Sequence, residues 1–243
     1  MSAAGTAAAC TVVLPAAVAV VGLPLAGRHR AWGREWAVLG AGATLLAALV
    51  EAWAVFTRGS VGRVPFLGTL DLGTGRIGLD LRADTLSASV AVAVGLVALC
   101  VQVYSTSYLA EPADPEPSDA DPGHPAPASG PTRYPAYAAT VSLFTAAMMT
   151  VVHANDLVLL LVGWEVMGAC SYLLVGHHSE RPAARAAAVK AFLVTRVGDL
   201  GVLLAVVLLL ASAAPSIVTA AITAATVSAA GAARKSGRSR TTR

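Results

Sequence analysis

The chain has 243 residues, of which 56% are hydrophobic and 13% are charged, and its mean hydropathy is +0.68. Because soluble domains carry about 25% charged residues, this composition excludes an ordinary water-soluble fold and predicts an all-α integral membrane protein. The formal net charge of +3 is small, and the basic residues lie in loops and in the tail. The charge therefore indicates membrane topology rather than nucleic-acid binding.

Three apolar segments and one glycine-rich segment fill the first part of the chain. The predicted spans are 6–26, 36–56 and 84–104, each close to the roughly 20 residues that cross a bilayer. Glu51 lies near the end of the second span, where we interpret it as reaching the membrane interface. Before the third span, the alternating stretches TLDL and IGLDL flank Gly73-Thr74-Gly75. This pattern predicts a short β-hairpin outside the hydrocarbon.

The second part of the chain begins with a segment of low complexity. Residues 108–134 are rich in Pro, Asp, Ala and Ser, which predicts a disordered loop. Three further spans follow at 135–152, 157–175 and 184–211, which gives a bundle of six transmembrane helices. The link from His153 to Asp156 is only a tight turn, so the fourth and fifth helices are predicted to be antiparallel neighbours.

The last segment has a different character. Ser, Thr, Ala and basic residues dominate positions 212–243. Two interpretations stay open: residues 215–233 form a weak seventh span, or the segment is a non-native-looking tail left by truncation or a frameshift. With the N-terminus outside, the predicted inner loops hold six basic residues against four outside, and a seventh span would add the five of the tail to the inside. The transmembrane domain therefore covers residues 1–211, and residues 212–243 form the basic tail or the weak span.

Charged residues inside the fifth and sixth spans are the candidate functional residues. These are Glu165, Lys190, Arg196 and Asp199. A charge at the bilayer centre costs about 2.5 to 3.5 kcal/mol on insertion scales, so such residues are rare and usually face a protein or water-filled interior. We therefore expect these four side chains to take part in moving protons or ions.

The surroundings of Glu165 favour proton binding. Gly168 and Tyr172 share its helix face, and the small residue lets another helix approach closely. A carboxyl group there can load and release a proton when a nearby cation moves, although a structural ion pair is the alternative. Arg196 and Asp199 are three residues apart and can pair within their helix.

Lys190 and two loop histidines complete the set of candidates. Lys190 lies about half a turn out of phase with Asp199, and its chain is alternatively long enough to reach the interface. His177 and His178 lie between the fifth and sixth spans, where they are either a proton relay or solvated loop residues. The sequence has no CxxC or Cys/His metal spacing, no Walker loop and no GxGxxG after a strand, so we expect no cofactor, metal or redox centre on this chain.

Three segments of the chain resemble one family. RYPAYAATVSLFTAAMM, DLVLLLVGWEVMGACSYLLVG and AAAVKAFLVTRVGDLGVLL closely resemble the N-terminal part of the subunit L family of bacterial NADH:quinone oxidoreductase. These are the antiporter-like proton-pumping subunits of respiratory complex I. The resemblance implies that Glu165 is the key glutamate, which would pair with a lysine on a seventh helix. It also implies that Arg196 and Asp199 are the charged pair of the TRxGD motif and that Lys190 is the lysine of the AxxKAF segment.

The resemblance implies a function. The chain would be a membrane subunit of NADH:quinone oxidoreductase that contributes to proton translocation coupled to quinone reduction, without a catalytic or redox site of its own. Its partners would be the other membrane subunits and the lipid bilayer of the bacterial cell, with no nucleic acid. Because residues 215–233 offer no lysine to pair with Glu165, we expect a truncated copy. The alternatives are a subunit of a multisubunit monovalent cation/proton antiporter and a structural or non-functional membrane fragment.

Overall fold

A computed structural model of the protein describes residues 3–25, 32–59, 62–71, 76–108, 134–178 and 182–209. Within these ranges, six helices are long and apolar enough to cross a membrane. This confirms the predicted integral membrane bundle of six spans. The helices are α1 (Ala3–Leu25), α2 (Trp32–Arg58), α3 (Thr85–Tyr108), α4 (Tyr134–His153), α5 (Leu157–Val175) and α6 (Pro182–Leu209), and a short 3₁₀ helix η1 (Gly176–His178) follows α5.

The helices begin and end within four residues of the predicted spans. The predicted loop at 108–134 is one residue too long at each end, because Tyr108 belongs to α3 and Tyr134 to α4. The helical hydrogen bonding continues into the polar and aromatic residues that flank each apolar span. Hydropathy predicts which residues lie in the hydrocarbon, not where the helix ends. The rest of that loop and the segment from residue 210 onwards lie outside the described residues, so the disordered loop, the seventh span and the domain boundary stay predictions.

The predicted β-hairpin is confirmed. Strands β1 (Gly62–Asp71) and β2 (Arg76–Ala83) pair in antiparallel fashion. The pairing shifts between Pro65 and Thr69, as expected near a proline, which has no N–H group for the ladder. The predicted turn at Gly73-Thr74-Gly75 lies outside the described residues.

Small residues line the contacts between the helices. Helix α4 packs against α1, α2, α3 and α5. A Cβ atom at Gly95 on α3 would lie 3.2 Å from the Cα atom of Leu45 on α2, so these two backbones approach closely. The buried side chains of the two largest apolar clusters are mostly alanines and aliphatic residues, including Ala8, Ala48, Ala88 and Ala91. Close packing of small residues is the usual way in which membrane helices associate.

The hairpin is attached to the end of the bundle at which α4 ends. Leu81 of β2 forms an isolated bridge with Ala154, and the backbone N–H of Asn155 donates to the carbonyl of Asp80 at 3.1 Å. Leu81 is also fully buried in the apolar cluster. The α4–α5 turn is therefore held by a strand that is distant in sequence, which fixes where α5 starts.

Helix α6 is the most exposed helix of the described bundle. Its exposed large apolar residues are Val189, Leu193, Val194, Val197, Leu200, Leu203, Leu204, Val207, Leu208 and Leu209. Such a surface suits lipid or neighbouring membrane helices. The helix contacts α5 through a group of polar and aromatic side chains, which form the candidate site.

Candidate functional site

Helix α5 carries the first half of the site, and its start is fixed by a cap. The carboxylate of Asp156 accepts a hydrogen bond from the backbone N–H of Leu159 at 2.7 Å, as an N-cap residue does. At the other end, the backbone N–H of Gly176 donates to the carbonyls of Leu174 and Tyr172. The cap and the bridge from the hairpin together set the position of Glu165 about two turns into the helix.

Glu165 and Arg196 form an ion pair between α5 and α6. The Nη1 atom of Arg196 contacts the Oε2 atom of Glu165. The Nη2 atom of the same guanidinium donates to the backbone carbonyl of Glu165 at 3.2 Å. The arginine therefore holds both the side chain and the backbone of the glutamate, which is a use of the fork-shaped guanidinium that a lysine cannot reproduce.

Asp199 is the second carboxylate of the site. It is only 8% exposed, and its Oδ1 atom accepts a hydrogen bond from the indole Nε1 of Trp164 at 2.7 Å. Its Oδ2 atom lies 3.6 Å from Nη1 of Arg196, so the predicted pairing of these two residues within α6 is also present. Trp164 was not among the predicted site residues, although its position next to Glu165 could have indicated it.

The guanidinium of Arg196 lies in a tight and partly aromatic environment. A Cβ atom at Gly168 would lie 3.1 Å from its Nη2 atom, so this glycine leaves room for the arginine. The guanidinium carbon lies 4.8 Å from the ring centroid of Phe192, at cation–π distance. Phe192 in turn contacts Tyr172, with ring centroids 5.2 Å apart. The prediction that Gly168 and Tyr172 lie on the face of α5 that bears Glu165 agrees with these contacts.

The three charged groups have an unbalanced charge. Two carboxylates, Glu165 and Asp199, share the one guanidinium of Arg196 within the described residues. If both carboxylates are ionised, the cluster carries a net charge of −1. A net charge is costly in a poorly hydrated environment.

The remaining predicted site residues lie apart from this cluster. Lys190 is exposed and lines a shallow groove on α6 together with Arg185, Val189 and Leu193. His177 and His178 form most of η1, and the half-buried His177 has its ring in contact with that of Tyr137 at a centroid distance of 5.1 Å. The structure thus brings together Glu165, Arg196 and Asp199 but not the other three residues, whose roles stay predictions.

The structure contains a second buried polar pair that the sequence did not reveal. Glu51 and His153 are both 0% exposed and are hydrogen-bonded to each other. The interpretation that Glu51 reaches the membrane interface is therefore wrong. The sequence does show a carboxylate inside an apolar span, but it gives no indication of a partner 102 residues away.

In the part of the chain that the structure describes, no three His, Cys, Asp or Glu residues are grouped so that they could hold a metal ion.

Comparison with known protein families gives two matches. Residues 70–118 match the model for "NADH-Ubiquinone oxidoreductase (complex I), chain 5 N-terminus", and residues 154–235 match the model for "NADH:quinone oxidoreductase/Mrp antiporter, TM". The second match contains Glu165, Arg196 and Asp199. The two matches occur in the order that the sequence motifs predict.

Individual relatives give the same result. NADH-quinone oxidoreductase subunit L of Escherichia coli is 33% identical over 197 residues, which cover 79% of this chain and 28% of the relative. Subunit L of Rhodobacter capsulatus is 37% identical over 134 residues, which cover 55% of this chain and 16% of the relative. The chain therefore spans less than a third of the length of these relatives.

A solved structure supports the fold. The membrane-bound sulfane sulfur reductase, an archaeal respiratory membrane complex, contains a chain that superposes with a TM-score of 0.55 at 17% sequence identity. The superposition covers 79% of this chain and 34% of the other. At this level of identity the similarity concerns the helical membrane architecture alone.

Proposed function

Because the chain belongs to the family of antiporter-like membrane subunits of complex I and corresponds to their N-terminal portion, we propose that it contributes to proton translocation coupled to quinone reduction. The observation that carries this proposal is the shared guanidinium of Arg196, which contacts the carboxylates of both Glu165 and Asp199. A cluster of two acids and one base inside a membrane bundle is suited to binding and releasing a single proton.

The proton binds to a carboxylate, because a guanidinium stays protonated in proteins. When the guanidinium of Arg196 moves toward Asp199, Glu165 loses its counter-ion and takes up the proton. When the guanidinium returns, the carboxyl group of Glu165 releases it. The hydrogen bond from Trp164 to Asp199 keeps that carboxylate in place as the alternative partner of the arginine.

Lys190, His177 and His178 are proposed to connect the cluster with its surroundings. Lys190 is six residues before Arg196, about 9 Å along the helix axis, and it is exposed on the α6 surface. The two histidines follow α5 directly, at the end of the helix that carries Glu165. An imidazole is the side chain that exchanges protons with water most readily near neutral pH, which suits a relay at this end.

The proposed partners are the other membrane subunits of an NADH:quinone oxidoreductase, and the proposed location is the bacterial cell membrane. The names of the bacterial relatives support both. The exposed apolar surface of α6 is compatible with further membrane helices or lipid. On this proposal the chain binds no cofactor, and the electrons are handled by other subunits.

The test compares Glu165→Gln with a matched control in membrane vesicles. The variants would be introduced in the native genetic context, and proton translocation would be measured with a pH-sensitive dye while NADH oxidation by quinone is followed in parallel. We expect Glu165→Gln to lower the number of protons moved per NADH oxidised, because an amide cannot bind the proton. Glu35→Gln, at an exposed position in the first turn of α2, is expected to leave this ratio unchanged. A normally assembled Glu165→Gln complex with an unchanged ratio would contradict the proposal.

A subunit of a monovalent cation/proton antiporter is the second candidate, because one of the matching family models describes Mrp antiporters as well. Sodium-dependent proton exchange without NADH, which Glu165→Gln abolishes, would support this candidate instead. A chain whose vesicles show neither activity would have a structural role.

A further inference from the structure

The second buried polar pair lies between α2 and α4. The Nε2 atom of His153 lies 2.9 Å from Oε1 and 3.0 Å from Oε2 of Glu51. The Nδ1 atom of the same ring lies 2.8 Å from the backbone carbonyl oxygen of Met149. Both nitrogen atoms of the imidazole therefore face oxygen atoms at hydrogen-bond distance, and both residues are fully buried.

The protons of this pair can be counted from its partners. A backbone carbonyl only accepts, so Nδ1 of His153 must carry a hydrogen atom. Without a further proton, the lone pair of Nε2 would face an ionised carboxylate at 2.9 Å without water, which is strongly unfavourable. One more proton must therefore lie between the imidazole and the carboxyl group of Glu51.

The geometry indicates which group carries that proton. Nε2 is almost equally distant from the two carboxylate oxygens, as expected when one N–H group donates to both. The hydroxyl of a carboxylic acid would instead lie on one oxygen and favour one short contact. This arrangement is the one expected of an imidazolium paired with a carboxylate through a charge-assisted hydrogen bond.

We propose that Glu51 and His153 form a second proton-binding site of the protein, in which His153 is doubly protonated and shares its Nε2 proton with the carboxylate of Glu51. This site is independent of the proposed role of Glu165 and of the α5–α6 cluster. It adds to the bundle a proton that neither the family matches nor the sequence motifs assign.

The pair lies near the end of the bundle to which the hairpin is attached. Glu51 lies seven residues before the end of α2, about 10 Å along the axis, and His153 is the last residue of α4. Strand β2 covers this end of the bundle through the bridge between Leu81 and Ala154, the residue after His153.

No other described cation is engaged with Glu51. The described parts of α1 and α3 carry no charged side chain. Among the residues whose side chains the structure describes, the elements around α2 and α4 carry Arg63 on β1, Asp80 and Arg82 on β2, Asp84 before α3, Asp156 before α5 and Glu165 on α5. Arg82 contacts Asp84 at 3.3 Å, and Glu165 is paired with Arg196. In the described residues, His153 is the group at hydrogen-bond distance from the Glu51 carboxylate that can carry a positive charge.

The experiment is nitrogen-15 NMR of the full chain, labelled at histidine and reconstituted in lipid nanodiscs. The signal of His153 is identified by its loss in His153→Gln. At about pH 8, a histidine with ordinary proton affinity is doubly protonated to only a few per cent. We expect His153 to carry a proton on both nitrogens at this pH. A singly protonated His153 in the wild-type protein would overturn the proposal, whatever the variants do.

Two variants test the role of the carboxylate. Glu51→Gln removes the charge, so the doubly protonated fraction of His153 at the same pH is expected to fall from nearly complete to a few per cent. Glu51→Asp keeps a carboxylate and is expected to retain the doubly protonated ring. Glu165→Gln should leave the His153 signal unchanged, which separates this site from the proposed translocation cluster. A doubly protonated His153 that persists in folded Glu51→Gln would contradict the assignment.

Discussion

The close approach of α5 to α4 depends on Gly163, which lies two residues before Glu165. A Cβ atom at Gly163 would lie 2.9 Å from Cγ2 of Val151, 3.1 Å from the carbonyl oxygen of Ala147 and 3.3 Å from Cβ of Thr150. One of these atoms belongs to the backbone and two to β-branched side chains, none of which moves easily. Gly163→Ala must therefore push α5 away from α4.

The expected magnitude follows from two opposing effects. Inserting a methyl group into a well-packed contact costs about 1 to 3 kcal/mol. Replacing glycine by alanine inside a helix gains about 0.8 to 1 kcal/mol. Gly198→Ala on α6 is a matched control, because nothing lies within 4 Å of its added Cβ atom and only the gain applies. The free energy of unfolding should therefore be about 1 to 3 kcal/mol lower for Gly163→Ala than for Gly198→Ala.

The assay is reversible unfolding in mixed detergent micelles with increasing dodecyl sulfate, followed by the helical circular dichroism signal. The helix-propensity gain is common to both variants and cancels in the comparison, as does the effect of the detergent on the unfolded state. Equal unfolding free energies for the two alanine variants would refute the conclusion that α4 and α5 meet in van der Waals contact at this glycine. Glu165 would then lie at a different distance from α4.

Two further predictions concern single hydrogen-bonding groups. Trp164→Phe removes the hydrogen-bond donor to Asp199 and should lower the free energy of unfolding by about 1.5 to 3 kcal/mol in the same assay. Trp53→Phe, at an exposed position, should change this free energy little. Equal effects of the two substitutions would contradict the hydrogen bond between Trp164 and Asp199. Asp84 caps α3 by accepting from the backbone N–H of Ser87 at 2.9 Å, and this hydrogen bond lowers the pKa of its carboxyl group below the ordinary 3.8. The stabilisation is present above that value and is lost as the pH falls through the lowered pKa. Asp84→Ala should therefore lower the free energy of unfolding by about 1 kcal/mol at neutral pH and by less in acid. A loss of stability that does not depend on pH would argue against the carboxylate as the cap.

The positions of the helices could be predicted from the sequence because burial in lipid depends on the local run of apolar residues. The predicted span of α5 coincides with the observed helix Leu157–Val175. The hairpin could be predicted for a similar reason, since alternating residues around glycines determine local strand geometry. The charges of Glu165, Arg196 and Asp199 marked the candidate site, because a charge in an apolar span is visible without any knowledge of its partner.

The partners of the polar groups were decided by the tertiary structure. Which side chains meet depends on the rotation of each helix about its axis and on which helices are neighbours, and the apolar pattern of a membrane helix constrains neither strongly. The contact of Trp164 with Asp199 and the pairing of Glu51 with His153 over 102 residues are of this kind. The sequence by itself determined that charges lie inside the membrane bundle, and the packing of the helices decided which of them lie within hydrogen-bond distance of one another.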